Sequence, residues 1–417
     1  MHRGVMPVLA DSAKPVAATG KSTLTFMLLA SSAILSMALG LRYSFGLFLQ
    51  PMSMDHSWGR EVFGFAIALQ NLLWGLSQPF TGMIADRFGA RIVLCMGGLL
   101  YAAGVLCMAY ASTPLELTLS IGVLIGFSLS CTTYNILFGA LGRAYSPEQR
   151  SKVLGVCSAV GSFGQFLLLP LALALITNVG WYWALIVFAG LAALMTPAAF
   201  GVDDKGYGAT ATRASHSLRG TLAEAVRRWD FWLLGTGYFT CGFQINFVAT
   251  HFPAFLLDGG LSARDGTTAL ALIGLFNIFG SYTAGALGGR VSKAYLLACL
   301  YAIRGVTIAL LLVFPLSPLS AYAFAAVFGF TWLATVPLTN GVVAGMFGVK
   351  HFAMLSGFVF LFHQTGGFFG SWLGGYVFDH TGSYRLIWLA SIGLSVIATL
   401  VNLPIDERPT QREIVTA

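Results

Sequence analysis

The chain has 417 residues, of which 57% are hydrophobic and only 9% are charged, and its formal net charge is +7. Soluble domains carry roughly 25% charged residues, so this composition excludes a soluble globular protein. The mean hydropathy of +0.78 predicts an all-α membrane protein instead.

Twelve apolar runs follow the polar N-terminal segment, and we expect each run to cross the membrane as a helix. About 20 apolar residues are enough for a helix to span the hydrocarbon layer. The runs are continuous and do not alternate in polarity, so they exclude a transmembrane β-barrel. The predicted spans are residues 24–47, 60–81, 92–111, 115–139, 152–176, 181–201, 230–256, 268–289, 294–314, 319–346, 352–378 and 384–404.

Polar segments predict how the chain is divided. Residues 202–229 separate the first six runs from the last six and contain five basic residues. The end of this linker, Leu218–Trp229, fits either an amphipathic helix near lipid headgroups or a solvated connection. The predicted parts are an N-terminal tail (1–21), a six-helix bundle (22–201), a cytoplasmic linker (202–229), a second six-helix bundle (230–404) and a C-terminal tail (405–417).

The basic residues predict the orientation in the membrane. Most of the 23 Lys and Arg residues fall in segments on the same side as the two termini. The positive-inside rule then predicts a multi-pass inner (plasma) membrane protein with both termini in the cytoplasm. Since this topology accounts for the positive charge, we expect no nucleic-acid partner.

The sequence lacks the common signatures of catalysis and of bound metals. The six cysteines lie inside predicted spans without a CxxC pair, so neither a disulfide framework nor a metal site is expected. The sequence has no P-loop, HExxH or GxSxG pattern. We therefore expect no enzyme, no cofactor and a monomer in the lipid bilayer.

A glycine-rich stretch with three charges links the second and third runs. Gly82, Asp86, Arg87, Gly89 and Arg91 form the pattern G-x3-D-R-x-G-x-R, which resembles the loop signature of the major facilitator superfamily. The resemblance implies two six-helix bundles related as a parallel repeat, with the substrate site between them near the bilayer midplane.

The same stretch recurs in outline about two hundred residues later. Gly285 matches Gly82, and Gly382 near the last run matches Gly180. We expect Asp86 to pair with basic residues across the interface between the bundles. The second copy has Gly289 at the place of Asp86, so this ion pair is expected on one side only.

A narrower resemblance covers the first two runs. Tyr43–Phe48, Ser57–Glu61 and Gln78–Gly82 are similar to the monocarboxylate transporter family and its bacterial oxalate/formate antiporter relatives. The resemblance implies alternating-access transport of a small organic anion, a monocarboxylate or dicarboxylate, as proton symport or exchange for a counter-anion. The chain departs from that family in the eighth run, which offers Asn277 but no charged anchor.

Few ionisable side chains fall deep inside the spans, where they are costly and usually functional. Arg42 and Arg304 would attract an anion, and no acid lies deep in a span. Arg42 fits either a substrate contact or an interface arginine paired with Asp55 or Glu61. Arg304 fits either a substrate contact or a hydrogen bond to neighbouring helix carbonyls. His363 fits either a proton carrier or a neutral core histidine.

Polar residues on the remaining spans complete the candidate site. Each is as compatible with a helix-to-helix hydrogen bond as with a ligand contact, and the first and fourth spans are the ones expected to face the cavity. The predicted substrate-binding set is Arg42, Tyr43, Tyr134, Asn135, Asn277, Arg304 and His363, and the other polar residues considered are Gln70, Asn71, Gln165, Gln244, Asn246 and Asn340.

Two other functions remain open at this point. The aromatic content also suits an exporter of drugs or amphipathic metabolites from the same superfamily. A sensor or assembly partner without transport activity is the third reading, although the chain shows no signalling domain.

Overall fold

The computed structural model describes residues 21–145, 147–204, 218–347 and 352–408, and this part of the chain is helical almost throughout. The N-terminal half contains α1 (Lys21–Ser44), α2 (Leu49–His56), α3 (Arg60–Phe88), α4 (Ala90–Tyr110), α5 (Pro114–Leu117), α6 (Gly126–Thr132), α7 (Tyr134–Ala144), α8 (Pro147–Ala193) and α9 (Met195–Ala199). The C-terminal half contains α10 (Leu218–Arg227), α11 (Trp229–Asp258), α12 (Ala263–Leu287), α13 (Lys293–Val313), α14 (Pro318–Thr331), α15 (Thr335–Phe347), α16 (Phe352–Thr381) and α17 (Arg385–Asn402).

Each of the twelve predicted runs coincides with helix. In the described part of the chain, eight helical stretches are long and apolar enough to cross a membrane, and the longest of them, 153–199, covers most of two predicted runs. The helices α3, α11 and α16 are also long, with 29, 30 and 30 residues, but they do not reach the same hydropathy. Their lower hydropathy has a structural reason, because these three helices carry the polar residues between the halves.

The halves meet mainly through α3 and α16 and through α8 and α12, and α16 also packs along α11. Gly366 and Gly370 of α16 lie against the backbone carbonyls of Phe239 and Phe243 in α11. Small residues at four-residue spacing let two helix backbones approach closely. The glycine-rich pattern of the eleventh span therefore marks a close helix contact within the C-terminal half.

The repeated glycines Gly180 and Gly382 both have positive φ angles. Their φ angles are 83° and 68°, a left-handed conformation that only glycine adopts without strain. Gly180 breaks α8 into two helices, and Gly382 separates α16 from α17. The recurring sequence pattern therefore marks the same turn in both halves.

The fourth and tenth spans are both broken near their middles. Thr133 has extended backbone angles between α6 and α7, and residues 332–334 form a turn between α14 and α15. The two breaks are separated by about the same number of residues as the repeated glycines. Broken helices at corresponding places in two repeats are a common feature of transporter binding sites.

The linker falls partly outside the described residues. Its predicted amphipathic tail is helical as α10, whereas its position near lipid headgroups stays a prediction. Arg228, which follows α10, pairs with Asp230 at 2.9 Å and donates to the backbone oxygen of Asp406. The end of the linker is thus bound to the start of α11 and to the segment after α17.

Candidate functional site

Arg42 lies at the contact between the two halves. Its side chain is 6% exposed. Its Nη2 donates hydrogen bonds to Oδ1 of Asn71 in α3 and to Oδ1 of Asn246 in α11, the latter at 2.6 Å. Both hydrogen-bond acceptors are neutral amides, and neither Asp55 nor Glu61, the partners considered from the sequence, is among them.

Both amides are held in one orientation by their own helices. Asn71 Nδ2 donates to the carbonyl of Ile67 at 3.0 Å, and Asn246 Nδ2 donates to that of Gly242 at 2.9 Å. Each side chain can therefore offer only its oxygen to the guanidinium. Sequence reasoning treated Asn71 and Asn246 as two polar residues among several, because the sequence does not show which helix faces meet.

Aromatic rings cover the guanidinium of Arg42. Its carbon lies 5.0 Å from the ring centre of Tyr43 and 5.1 Å from that of Trp74, distances at which ring quadrupoles attract a cation. Trp74 Nε1 donates to Thr133 Oγ1 at the break of the fourth span, and the Tyr43 ring lies 6.0 Å from Trp332 at the break of the tenth. Arg42 thus lies between two helix breaks, one in each half.

The space beside Arg42 is small in this conformation. A void of about 10 Å³ is lined by Arg42, Gln70, Asn246 and Thr250 together with apolar neighbours. Such a volume holds about one water molecule. Two buried polar atoms at this place, Nε of Arg42 and Oε1 of Gln70, have no hydrogen-bond partner in the described part of the chain.

A larger cavity lies beside the part of α1 that precedes Arg42 in the chain. It measures about 410 Å³ and is lined by α1 and α8, including Ser32, Ser36, Val156 and Val160. This volume is in the range of small-molecule sites. Its lining residues belong to the N-terminal half.

Arg304 supports the break in the tenth span. It is fully buried, and its guanidinium donates to the carbonyl oxygens of Thr331 and Trp332, to Thr331 Oγ1 and to Gln244 Oε1. A helix that stops leaves its last carbonyls without partners, and these donors supply them. The structure therefore favours the helix-carbonyl alternative for Arg304.

Asn277 serves the same break from α12. Its Oδ1 accepts a hydrogen bond from the backbone nitrogen of Leu333 at 3.0 Å, and its Nδ2 donates to Ser162 Oγ of α8 at 3.2 Å. The side chain is buried and its polar atoms are used in these contacts. The structure thus separates Asn277 and Arg304 from the Arg42 hydrogen bonds.

The other predicted residues have separate surroundings. His363 is buried between the rings of Tyr238 and Phe360, and its Nδ1 lies 3.1 Å from Gln364 Oε1. Gln364 Nε2 in turn donates to the backbone oxygen of Asn71. Tyr134 is half-buried against the ring of Phe138, and Asn135 is exposed at the start of α7. Within the predicted set, the guanidinium of Arg42 lies over the ring of Tyr43.

One end of the bundle carries polar contacts between the halves. We call it the Arg60 end, after the first residue of α3. Arg60 of the N-terminal half makes two hydrogen bonds with Asp258 of α11, at 2.5 and 2.8 Å. Asp379 of α16 accepts from the backbone nitrogens of Arg60 and Glu61, and Trp372 donates to Glu61. These contacts close this end.

The opposite end, which we call the Gly89 end, contains the signature loop. Gly89 has a φ of 93° and separates α3 from α4. Asp204, which follows α9, accepts from the backbone nitrogen of Ala90 at 3.0 Å and pairs with Arg143 at 2.5 Å. Arg91 pairs with Asp203 at 2.7 Å. These contacts stay within the N-terminal half.

The remaining loop residues are less informative. Arg87 is exposed, and Gly82 has no atom within 4 Å of the position that a Cβ would take. The predicted ion pair of Asp86 involves a side chain outside the described part and stays a prediction.

The C-terminal half has its own carboxylate at the corresponding loop. Glu407, which follows α17, accepts from the backbone nitrogen of Ala294 at 2.7 Å and from Ser292 Oγ at 2.7 Å, and it lies 3.4 Å from Lys293 Nζ. Glu407 accepts from a backbone nitrogen at the start of α13, just as Asp204 accepts from one at the start of α4. Both third helices of the halves therefore begin with a carboxylate from the end of the same half, which stabilises a helix N-terminus.

Sequence comparisons relate the chain to known transporters. An uncharacterized MFS-type transporter of Bacillus subtilis (strain 168), YcxA, is 26% identical over 371 residues, covering 86% of this chain and 90% of that protein. Monocarboxylate transporter 11 of Homo sapiens is 26% identical, covering 90% of this chain and 81% of that protein. The oxalate:formate antiporter of Oxalobacter formigenes is 25% identical, covering 93% of both.

Solved structures and the family profile point to the same fold. A bacterial homolog of the human lysosomal transporter Spinster, in an inward-facing and occupied conformation, matches with a TM-score of 0.71 and 16% identity, covering 93% of this chain and 96% of that one. The profile of the Major Facilitator Superfamily matches residues 22–344. The relatives that it groups are transporters and not enzymes. This chain belongs to the Major Facilitator Superfamily.

Proposed function

We propose that this protein is a secondary transporter that moves a small monocarboxylate or dicarboxylate by alternating access, with Arg42 as the anchor of the anion. The observation that carries the proposal is the charge of Arg42. It is buried between the halves, and the two side chains that accept its hydrogen bonds, Asn71 and Asn246, are neutral amides. A buried guanidinium without a carboxylate partner is a strong site for an anion, which it can bind through two parallel hydrogen bonds.

The relatives support the substrate class. Monocarboxylate transporters and an oxalate:formate antiporter align with most of the chain at about one-quarter identity. Proton symport and exchange for a counter-anion are both compatible with these names. His363 is the proposed proton carrier for the first, since it is buried and connected through Gln364 to α3.

The closed Arg60 end supports an assignment of sides. We propose that it faces the outside of the inner (plasma) membrane and that the Gly89 end and both termini face the cytoplasm, as the basic residues predict. The anion would then reach Arg42 from the Gly89 end in this conformation. Tyr43 belongs to the proposed site, whereas Arg304 and Asn277 support the tenth span beside it.

Uptake into proteoliposomes tests the proposal. Purified protein would be reconstituted and assayed with radiolabelled oxalate, formate, acetate and L-lactate, under an imposed pH gradient or with preloaded counter-anion. Arg42→Ala is expected to lower uptake by about 10- to 100-fold, the value of a hydrogen-bonded charge pair. Arg42→Lys should retain part of the uptake, since the positive charge stays but the two parallel hydrogen bonds of the guanidinium are lost.

The control removes a charge elsewhere. Arg385→Ala deletes an exposed arginine at the start of α17 and should leave uptake unchanged. Equal uptake by wild type and Arg42→Ala across the panel would refute the role of Arg42. Resistance of expressing cells to amphipathic compounds, without carboxylate uptake, would favour the exporter.

A further inference from the structure

The two acceptors of Arg42 come from different halves of the molecule. Asn71 lies on α3, in the same half as Arg42, whereas Asn246 lies on α11 in the other half. Both oxygens accept from the same nitrogen, Nη2. The bond to Asn71 therefore positions Arg42 within its half, and the bond to Asn246 joins the halves.

The unused donor of Arg42 lies next to this nitrogen. Nε and Nη2 share one edge of the guanidinium, the edge that binds a carboxylate through two parallel hydrogen bonds. Nε is buried and has no acceptor among the described residues, and Arg42 and Asn246 both line the small void described above. At about 10 Å³, the void cannot hold a carboxylate while the Asn246 amide remains in place.

Gly367 of α16 explains how the amides reach this position. A Cβ at Gly367 would collide with the Asn246 amide and would lie 3.5 Å from the Cβ of Asn71. The absence of a side chain at this point thus leaves room for both asparagines beside Arg42. Packing and hydrogen bonding together fix the Asn246 oxygen where an incoming oxygen would bind.

We propose that Asn246 is an internal substitute for the substrate: its amide oxygen takes the place of a carboxylate oxygen on Arg42, and its displacement by the anion breaks the bond between the halves. The inference rests on the proposed function, because it assumes that a carboxylate binds Arg42. A carboxylate forms the stronger hydrogen bond with a guanidinium than an amide does, so the exchange favours the anion.

This exchange gives a physical coupling between binding and movement. A ligand shifts a conformational equilibrium only by its difference in affinity for the two states. Here the anion competes with Asn246 in the state closed at the Arg60 end and has no such competitor once the halves separate. Asn246 is accordingly a positioning residue that acts through Arg42.

The test compares two matched asparagines. Asn246→Leu and Asn71→Leu each remove one oxygen from the same nitrogen, and Asn246→Ala repeats the first change with a smaller side chain. Spin labels at Asp55→Cys and Ala263→Cys, exposed positions near the Arg60 end in opposite halves, report the separation by pulsed EPR. The full chain is used, with the partly or fully exposed cysteines Cys95, Cys107 and Cys299 replaced.

The expected results separate the two residues. Without ligand, Asn246→Leu should widen the label distance relative to wild type, whereas Asn71→Leu should leave it unchanged. By calorimetry, oxalate or L-lactate should bind Asn246→Leu on the order of tenfold more tightly, because the competing hydrogen bond is gone, and Asn71→Leu more weakly. Added anion should widen the wild-type distance and have no further effect on Asn246→Leu.

A built-in carboxylate provides an opposite test. Asn246→Asp places a permanent anion beside Arg42, so it should keep the label distance short and reduce oxalate binding at least tenfold. An unchanged label distance in both Asn246→Leu and Asn246→Ala overturns the inference, as does equal widening in Asn71→Leu. If wild type binds none of the carboxylates although Asn246→Leu widens the distance, the proposed substrate class fails and the bond between the halves stands.

Discussion

The two ends of the bundle use their charged residues differently. At the Arg60 end, the ion pair with Asp258 and the helix cap from Asp379 connect α3 with α11 and α16, and thus one half with the other. At the Gly89 end, the carboxylates of Asp204 and Glu407 cap helices of their own halves. These charged contacts thus join the halves at the Arg60 end and cap helices within each half at the Gly89 end.

This difference indicates which contacts would break and which would persist if the two halves moved relative to each other. Rigid-body rearrangement requires that contacts between units break while contacts inside each unit persist. The Arg60 contacts are partly exposed, with side-chain exposures of 12% for Arg60 and 32% for Asp258, and can exchange with water. Asp204 is buried, with a side-chain exposure of 3%, so its contacts belong to the persistent part. Four predictions examine this comparison.

The largest effect is expected from a side chain at Gly375. A Cβ there would collide with the backbone of Arg60 and Glu61, so Gly375→Leu should keep α3 and α16 apart at the Arg60 end. Overpacking costs about 1–3 kcal/mol. The label distance between positions 55 and 263 should therefore shift to longer values. Gly357→Leu is the control, since this glycine of α16 has no atom within 4 Å of a Cβ. An unshifted label distance in Gly375→Leu would contradict the close approach of α16 to α3 at this glycine.

The next effect concerns stability within one half. Asp204→Asn keeps an oxygen for the backbone nitrogen of Ala90 but removes the charge that pairs with Arg143. Loss of a buried charged partner should lower the free energy of unfolding by about 2 kcal/mol. Thermal unfolding followed by circular dichroism measures this change, and the label distance should stay the same. Asp203→Asn, at a side chain that is 54% exposed, should have less than half the effect. Equal destabilisation by both variants would refute the claim that the buried carboxylate of Asp204 stabilises this half more than the exposed one of Asp203.

A smaller effect is expected at the ion pair between the halves. Arg60→Gln and Asp258→Asn each break the pair, and the double variant gives their coupling energy from the populations of the short and long label distances. We expect about 1 kcal/mol, because hydrogen-bonded charges are stronger than simple ion pairs but solvent screens this one. Strict additivity of the two single variants would show that the pair does not hold the Arg60 end closed.

The sequence predicts the helices and the burial of Arg42 well, because hydropathy is a local property of the chain. It does not predict the acceptors of Arg42, because Asn71 and Asn246 are defined by helix faces that meet only in the folded bundle. The breaks at Thr133 and Trp332 were missed for a related reason. Their hydrogen-bond partners are side chains far away in the sequence: Trp74 donates to the Thr133 hydroxyl, and Arg304 donates to the backbone oxygen of Trp332.

The signature loop is a second case in which the sequence does not reveal the partners that folding brings together. Its second copy has Gly289 at the place of Asp86, which led us to expect an ion pair in one half only. Whether Asp86 pairs stays a prediction. Each half nevertheless brings a carboxylate to the start of its third helix, from Asp204 or from Glu407, over a hundred residues further along the chain. A motif search cannot find these partners, since their spacing is set by the whole six-helix unit.

The smallest effect, and the one that depends on pH, is expected at Glu407. Burial raises the pKa of this carboxyl, but hydrogen bonds from Ala294 and Ser292 and the charge of Lys293 outweigh it, so the pKa lies below its usual value. A lowered pKa in the folded state means that the stabilisation is complete above the unfolded pKa of about 4.3 and is lost as the pH falls through the folded pKa.

Glu407→Gln should accordingly be less stable than wild type at pH 7, by about 0.5 kcal/mol after allowance for solvent screening. The difference in unfolding temperature should shrink as the pH is lowered below about 4.3, because the unfolded chain takes up a proton there and the folded carboxylate does so as the pH falls through its lower pKa. The label distance at the Arg60 end should not respond, since Glu407 binds only its own half. A stability difference that is constant between pH 7 and pH 3.5 would show that the carboxylate charge does not stabilise α13, and a change in label distance would show that the two ends are coupled.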